Sequence, residues 1–323
     1  MGLDRAIFLA LLMSVFPSTA FVLGAGLGTR LKALTQRLPK PLLPVCNQPL
    51  VTRAFAHLHE AGVKEFVVNT HWQAQAYAQA FPACRWEGLP IRFSHETPEV
   101  LETAGGLKHA EAFLPRSGAF WVYNGDILST LPLRAAWAAH EAAGNEVTLV
   151  LRSKDGPLQV SFEPESGRIT DVGKRLHPEV EPAFLFTGIY LVEPEFLQRI
   201  PNGIKMGVVT VFLDMIRAGA KLGGVVVDDG DWWDLGTREQ ILAVHKVLSS
   251  IGAPWIAPDA RIDSSASLIG ATAVGARAQI GAGAILEDTL VWEDAVVQPE
   301  STLRRCIVTG NGVISGHHTD ADL

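Results

Sequence analysis

The chain has 323 residues, enough for one large domain with a smaller one, or for two of middle size. Apolar residues make up 48% and charged residues 19%, which provides a full core and excludes a disordered chain. The formal net charge of −7 excludes a surface that binds nucleic acid as a whole, so any anion site must be locally basic.

The first eighteen residues read as an N-terminal extension. Ala6 to Phe16 is an apolar run after Arg5, and Pro17-Ser18-Thr19-Ala20 ends in small residues, as in a signal peptide. The run is too short to span a bilayer, and no membrane association is expected. A first core strand from Thr19 speaks against cleavage after Ala20, and Met13 is an alternative start. Cys46, Cys84 and Cys306 are far apart and form no CxxC pair. They predict neither a disulfide framework nor a zinc site, and they suit a reducing, cytoplasmic setting.

Thr19–Leu23 is a short apolar run that stops at glycines, as a buried parallel strand does. Pro49 to Ala61 predicts a helix, with Val51, Ala54, Phe55 and Leu58 at helical spacing and Gly62 as the stop. Strands follow at Glu65–Asn69, Ile91–Ser94, Ala119–Tyr123 and Glu146–Leu151. Helices are expected between them at Trp72–Phe81, Ala104–Phe113 and Leu133–Ala143. This alternation predicts an α/β domain with a Rossmann-like, mixed but mostly parallel sheet and flanking helices. From about Leu158 to Val192 short strands and prolines predict a β-rich lobe beside that sheet, including Phe184–Leu191. Val208–Ala218 and Gly236–Ser249 return to helix.

In the tail, Ile256, Ile262, Leu268, Val274, Ile280 and Leu286 recur with a period of six. Sixfold spacing with Ala, Gly and Ser between marks a small left-handed parallel β-helix of hexapeptides. A second register runs through Val291, Val297 and Leu303. His317 and His318 are expected in a frayed terminus. The predicted division is an extension over 1–18, a catalytic domain over 19–250 and the β-helix over 251–323. Such helices often pack side by side, so a homo-oligomer through this part is plausible.

The chemistry concentrates in the stretch after the first strand. Gly24, Gly26 and Gly28 lack side chains, so backbone N–H groups there can approach phosphate oxygens. Their GxGxG spacing is neither the Walker A loop nor the GxGxxG of dinucleotide binders. No Asp or Glu occurs from Phe21 to His59, which removes the acidic ribose ligand a nicotinamide-binding unit would want. The same span carries Arg30, Lys32, Arg37, Lys40 and Arg53, a local well for polyanions. Arg30 follows the glycines at once, where its fork can grip phosphates. Lys40 stands between Pro39 and Pro41, which stiffen the chain around it. Lys32, Arg37 and Arg53 read as solvated surface charges. Asp126 ends an apolar strand, where ligands gather in open α/β sheets. Asp234 follows two tryptophans and precedes a Leu-Gly pair, at an ordered turn.

The stretch from Gly26 resembles the signature of the sugar-1-phosphate nucleotidyltransferases, GxGxRL…T…PKPLxPV. It is present as Gly26-Leu27-Gly28-Thr29-Arg30-Leu31, Thr35 and Pro39-Lys40-Pro41-Leu42-Leu43-Pro44-Val45. Ala33 stands where the family often has Pro. Three further blocks match in order: Glu102-Thr103-Ala104-Gly105-Gly106, Asn124-Gly125-Asp126 and Trp232-Trp233-Asp234-Leu235-Gly236-Thr237. The resemblance implies transfer of a nucleotidyl group from a nucleoside triphosphate to a sugar 1-phosphate, with Mg²⁺ on Asp126 and Asp234. It assigns Leu23, Gly24, Ala25, Gly26, Gly28, Thr29, Arg30, Lys40, Glu102 and Gly105 to the nucleotide. Asn124, Lys174 and Gly188 fall to the sugar phosphate, although Lys174 lacks the family's usual Glu-Lys-Pro setting. Arg30, Lys40 and Asp126 are the expected catalytic residues. The Glu102–Gly106 block and Val67-Val68-Asn69-Thr70-His71 resemble both uridylyltransferases acting on amino-sugar phosphates and guanylyltransferases acting on mannose 1-phosphate. The alternative is an inactive regulatory or scaffold relative of the same fold.

Overall fold

Ten strands form the main sheet of this computed structural model, which describes residues 16–26, 28–249, 254–310 and 312–323. The signal-like segment before Phe16, Leu27, and the side chains of Thr29 and Lys32 lie outside the described residues. The strands are β1 (Thr19–Leu23), β2 (Glu65–Thr70), β3 (Arg85–Trp86), β4 (Leu89–His95), β5 (Phe120–Asn124), β6 (Val147–Arg152), β7 (Val160–Glu163), β8 (Arg168–Val172), β9 (Leu185–Val192) and β10 (Leu222–Val226). They run in the order β7-β8-β10-β6-β9-β5-β1-β2-β4-β3. The centre, β5-β1-β2-β4, is parallel, and β10 pairs parallel with β6. The helices are α1 (Val51–Ala61), α2 (Ala74–Ala80), α3 (Glu102–His109), α4 (Leu133–Ala143), α5 (Val208–Arg217) and α6 (Arg238–Leu248). Among the described residues no helix is long and apolar enough to cross a membrane.

The chain divides into two compact units. One joins the segment ending at Gly26 to Val51–Trp232, and the other joins Leu27–Leu50 to Trp233–Leu323. In the first unit, Ala20, Phe21 and Val22 of β1 are wholly enclosed, as a strand with neighbours on both edges and cover on both faces must be. Helix α1 turns Val51, Ala54, Phe55 and Leu58 inward, the face its spacing predicts. The expected separate β-rich lobe is corrected: β7, β8 and β9 belong to the main sheet itself. The reason is β9, which inserts antiparallel between β5 and β6 and so extends the ladder. Strand β10 is a further element that its two central glycines hid from sequence reading.

His140 on α4 gives the first unit an acid limit. Its ring lies between the Thr148 hydroxyl at 2.8 Å and Glu193 Oε1 at 3.3 Å. Burial lowers its pKa to about 4, with Glu141 pulling weakly the other way. The unfolded chain takes up this proton near pH 6.5, so stability falls as the pH drops from there toward 4. Glu193, whose carboxyl burial raises, offsets part of this because its neutral form is favoured at low pH. Urea unfolding at pH 5 is expected to show ~2 kcal/mol less stability than at pH 7 from His140 alone. His140→Gln should flatten that dependence, and an unchanged slope in the variant counts against the assignment.

In the second unit the β-helix consists of three sheets of four short parallel strands. Ile256, Val274, Val291 and Val308 stack in one column, and Ile262, Ile280, Val297 and Ile314 in the next. Val274, Ile280, Leu286, Val291, Val297 and Leu303 form its buried core. The step from Ile256 to Val274 takes eighteen residues, and that from Val274 to Val291 seventeen. The shortened corner is why the period of six breaks after Leu286 and resumes in a second register. His317 and His318 are not frayed: they pair with Thr302 and Leu303 as the last rung of the third sheet. Residues 27–50 add two short 3₁₀ turns and a hairpin, Pro44–Val45 with Gln48–Pro49. Cys46 and Asn47 at its tip both have positive φ, as a two-residue type I′ turn requires. The tip is anchored by Asn47, which donates to the Trp255 and Val274 carbonyls at 3.0 and 2.9 Å.

Candidate active site

The glycine loop leaves β1 in the first unit. Gly24 is confined on all sides: a methyl there would lie 2.6 Å from the Asn69 carbonyl and 2.8 Å from the Tyr77 hydroxyl. Its N–H donates to Asn69 Oδ1 at 2.8 Å, and its carbonyl accepts from Tyr77 at 2.9 Å. Burial and the nearby Asp126 carboxylate push the Tyr77 phenol up, so it stays a neutral donor. Both peptide groups of Gly24 therefore set the loop's course. Gly26 differs, since a side chain there would meet none of the described residues within 4 Å and the residue is exposed. Among the described residues no close contact demands that glycine.

The second block begins helix α3. Glu102 takes a positive φ of 61° at its start. The N–H groups of Ala104 and Gly105 both donate to the Met206 carbonyl, at 2.9 and 3.1 Å. Gly105 allows this approach, because a methyl there would lie 2.5 Å from the Ile204 carbonyl. Asn124 closes β5 opposite Leu23 of β1, and the Gly125 N–H donates to the Leu23 carbonyl at 3.0 Å. Only glycine fits, since a methyl at 125 would lie 2.5 Å from that oxygen. Asp126 follows, half-buried, on a turn pinned against the start of the glycine loop.

Gly188 lies in a bulge of β9, with φ +80° and a register shift between Phe186 and Tyr190. A methyl there would lie 2.3 Å from Asn124 Nδ2, so the fold brings these two predicted sugar-site residues together. Trp232 Nε1 donates to the Thr187 carbonyl at 2.9 Å and fixes the bulge. Lys174 stands instead on a turn after β8 and pairs with Glu181. That turn is built by Asp171, whose carboxylate accepts from the Val172, Arg175, Leu176 and His177 amides at 2.6 to 3.1 Å. Burial raises the Asp171 carboxyl, but those four bonds outweigh it and hold it below the usual carboxylate range.

In the second unit Gly28 opens the 3₁₀ turn Thr29–Thr35 with φ +60°. Its carbonyl accepts from the Thr35 hydroxyl at 3.0 Å, and a methyl there would lie 2.9 Å from Thr35 and 3.2 Å from Lys40 Cβ. Lys40 is buried, and its ammonium lies 3.2 Å from Asp234 Oδ1. Arg30 lies 3.4 Å from Asp234 Oδ2, with its side chain 66% exposed. Gly236 makes room for that guanidinium, since a methyl there would sit 2.7 Å from its carbon. Thr237 then caps α6 with a capping box through Gln240. The late sequence block thus seats Arg30 and orients Asp234 between two cations. Arg37 is accounted for elsewhere, donating to the Gly310 carbonyl of the β-helix at 2.7 Å.

Sequence reading missed residues that shape these loops, chiefly Glu96, Tyr77 and Asp171, and saw Trp232 only as part of the late block. Their signal was faint: single polar groups at strand and helix ends, whose partners are distant in sequence. Asn69 was visible only as part of a block.

The second unit holds a doubly paired Lys–Asp–Arg cluster, and the first a glycine loop beside a strand-end Asn-Gly-Asp on a Rossmann-like sheet; each is of a kind suited to phosphate groups. Residues 19–250 match the model of the nucleotidyl transferase family. The probable mannose-1-phosphate guanylyltransferase 1 of Oryza sativa subsp. japonica is 31% identical, over 92% of this chain and 83% of that protein. The UTP–glucose-1-phosphate uridylyltransferase of Synechocystis sp. is 26% identical, over 90% of this chain and 87% of that protein. The crystal structure of HddC from Yersinia pseudotuberculosis superposes with a TM-score of 0.58 at 19% identity, over 69% of this chain and 96% of that one. The chain belongs to the nucleotidyl transferase family, among its sugar-1-phosphate nucleotidyltransferases.

Proposed function

We propose that this chain joins GTP to mannose 1-phosphate, giving a nucleoside-diphosphate sugar and pyrophosphate. The observation that carries the reading is Asp234, held between buried Lys40 and exposed Arg30. An oxygen of the sugar phosphate attacks the α-phosphorus of the triphosphate. The bond to the α–β bridging oxygen breaks, and its electron pair leaves with pyrophosphate. The nucleophile is already an anion, so no general base is needed; charge neutralisation and alignment are. Arg30 and the loop of Leu23, Gly24, Ala25, Gly26, Gly28 and Thr29 hold the triphosphate. Lys40 stabilises the growing charge from a fixed position, Glu102 and Gly105 adjoin the base and ribose, and Asn124, Lys174 and Gly188 hold the sugar phosphate. Arg30, being exposed, is able to leave Asp234 for a phosphate.

The donor set suits Mg²⁺. Asp126 is a carboxylate on the turn after β5 and Asp234 one at the end of the short strand Trp232–Asp234, and a hard dication takes one or two carboxylates with phosphate oxygens. Bound there, the ion would neutralise charge on the reacting phosphates.

The Synechocystis relative favours a second reading, UTP with glucose 1-phosphate. Four triphosphates assayed against several sugar 1-phosphates decide between them. GTP with mannose 1-phosphate is expected to have the highest kcat/KM, by about tenfold or more over the next pair. Preference for UTP and glucose 1-phosphate would move the assignment, and no pyrophosphate from any pair would mark an inactive relative.

A further inference from the structure

We infer that Glu96 is a positioning residue for nucleotide binding: through Asn69, its buried carboxylate locks the glycine loop and the Glu102–Gly105 block in one fixed relation. The inference rests on the nucleotidyl-transfer reading, and it concerns a side chain that neither block contains. Glu96 follows β4 and has no exposed surface. Its Oε1 accepts from Asn69 Nδ2 at 2.6 Å, and its Oε2 accepts from the Leu101 N–H at 2.7 Å. Asn69 Oδ1 in turn accepts from the Gly24 N–H at 2.8 Å. A continuous relay thus runs from the first loop to the residue just before Glu102.

The direction of every bond in the relay is set by its ends. Gly24 and Leu101 each contribute a backbone N–H, which can only donate. Asn69 must then turn its oxygen to Gly24 and its amide nitrogen to Glu96. Glu96 therefore faces a donor on each side. A side chain with an acceptor oxygen on each side satisfies both. A glutamine in its place must point an NH₂ at one of them and leave buried donors unmet. The fold also keeps the space clear. A methyl on Gly106 would lie 2.3 Å from Glu96 Oε1 and 2.7 Å from Asn69 Nδ2. Gly106 has no positive φ, so its need for glycine comes from the relay and not from its backbone. Two loops held by one carboxylate present their ligand contacts as a unit, which lowers the ordering cost of binding the triphosphate.

The test uses the full chain with Glu96→Gln, Gly106→Ala and the double variant Asn69→Asp/Glu96→Gln. In the double variant the acceptor and donor roles exchange. The carboxylate introduced at position 69 accepts from the Gly24 N–H and from the new side-chain amide at position 96. The oxygen of that amide accepts from the Leu101 N–H. KM is measured separately for triphosphate and sugar phosphate, and amide hydrogen exchange over 23–26 and 100–105 without nucleotide. Glu96→Gln is expected to raise the triphosphate KM about tenfold and leave the sugar-phosphate KM within about twofold. Exchange should quicken at both loops together. Gly106→Ala should do the same, although alanine otherwise favours a helix. The double variant should recover both readouts to within about threefold of the original chain. A triphosphate KM unchanged in Glu96→Gln, both KM values rising together, quickened exchange at one loop only, or no recovery in the double variant each overturns the inference. If the unsubstituted chain forms no nucleotide sugar, the functional reading fails and takes the inference with it. Normal turnover with an indifferent Glu96→Gln variant refutes the inference alone.

Discussion

Replacing Asp126 by Ala is expected to lower kcat/KM by about 10³-fold or more while the protein still unfolds at nearly the same urea concentration. The loss follows from its proposed role as one of two metal-binding carboxylates, since no other Asp or Glu occurs between Glu111 and Glu141. The fold should survive because the turn is held by backbone: the Gly125 N–H bonds the Leu23 carbonyl, and Asn124 stays in register with Leu23. Neither contact uses the carboxylate. Turnover with Mg²⁺ close to that of the unsubstituted enzyme would overturn the metal assignment. A large fall in the unfolding midpoint would recast Asp126 as structural.

Lys40→Ala should come next, with kcat/KM down about 10²- to 10³-fold, the range for losing one preorganised donor to a charged transition state. Lys40 is a buried cation and Arg30 an exposed one. The Lys40 side chain is 6% exposed and that of Arg30 66%. Pro39 and Pro41 hold the Lys40 backbone, and Gly28 packs directly against its Cβ. Lys40→Arg is not expected to rescue, because a broader planar fork has no room in a buried slot built for a single point charge. Steady-state assays of Lys40→Ala, Lys40→Arg and Arg30→Ala check this order. Lys40→Ala activity within threefold of the original would remove Lys40 from the chemistry.

How much of this was legible beforehand depends on the distance over which each feature is decided. Helix α4 appears at Leu133–Ala143, as its local spacing predicts. The β-helix was legible because its repeat puts the core aliphatics on a short period. Its terminal rung was not, because His317 and His318 are polar and their strand is defined only by pairing with Thr302 and Leu303. The β-rich segment was recognised as strands but given the wrong place. Alternation shows that a run is a strand; it does not show which edge it joins, and β9 joins two.

The same distinction separates what the sequence alone determined from what tertiary structure decided. Motif spacing determined the family, the α/β and β-helix architecture, and a carboxylate-free basic stretch suited to polyphosphate. Those are properties of neighbours along the chain, where backbone freedom, charge and periodicity act within a few residues. Only the folded chain decided that residues 27–50 belong with the C-terminal unit, that Arg30 rests over Gly236, and that Asp234 lies between two cations. It also decided that Gly24 answers to Asn69 and Glu96. A buried hydrogen bond or a close backbone approach is satisfied by whatever the fold brings near, and its partners stand tens to hundreds of residues apart.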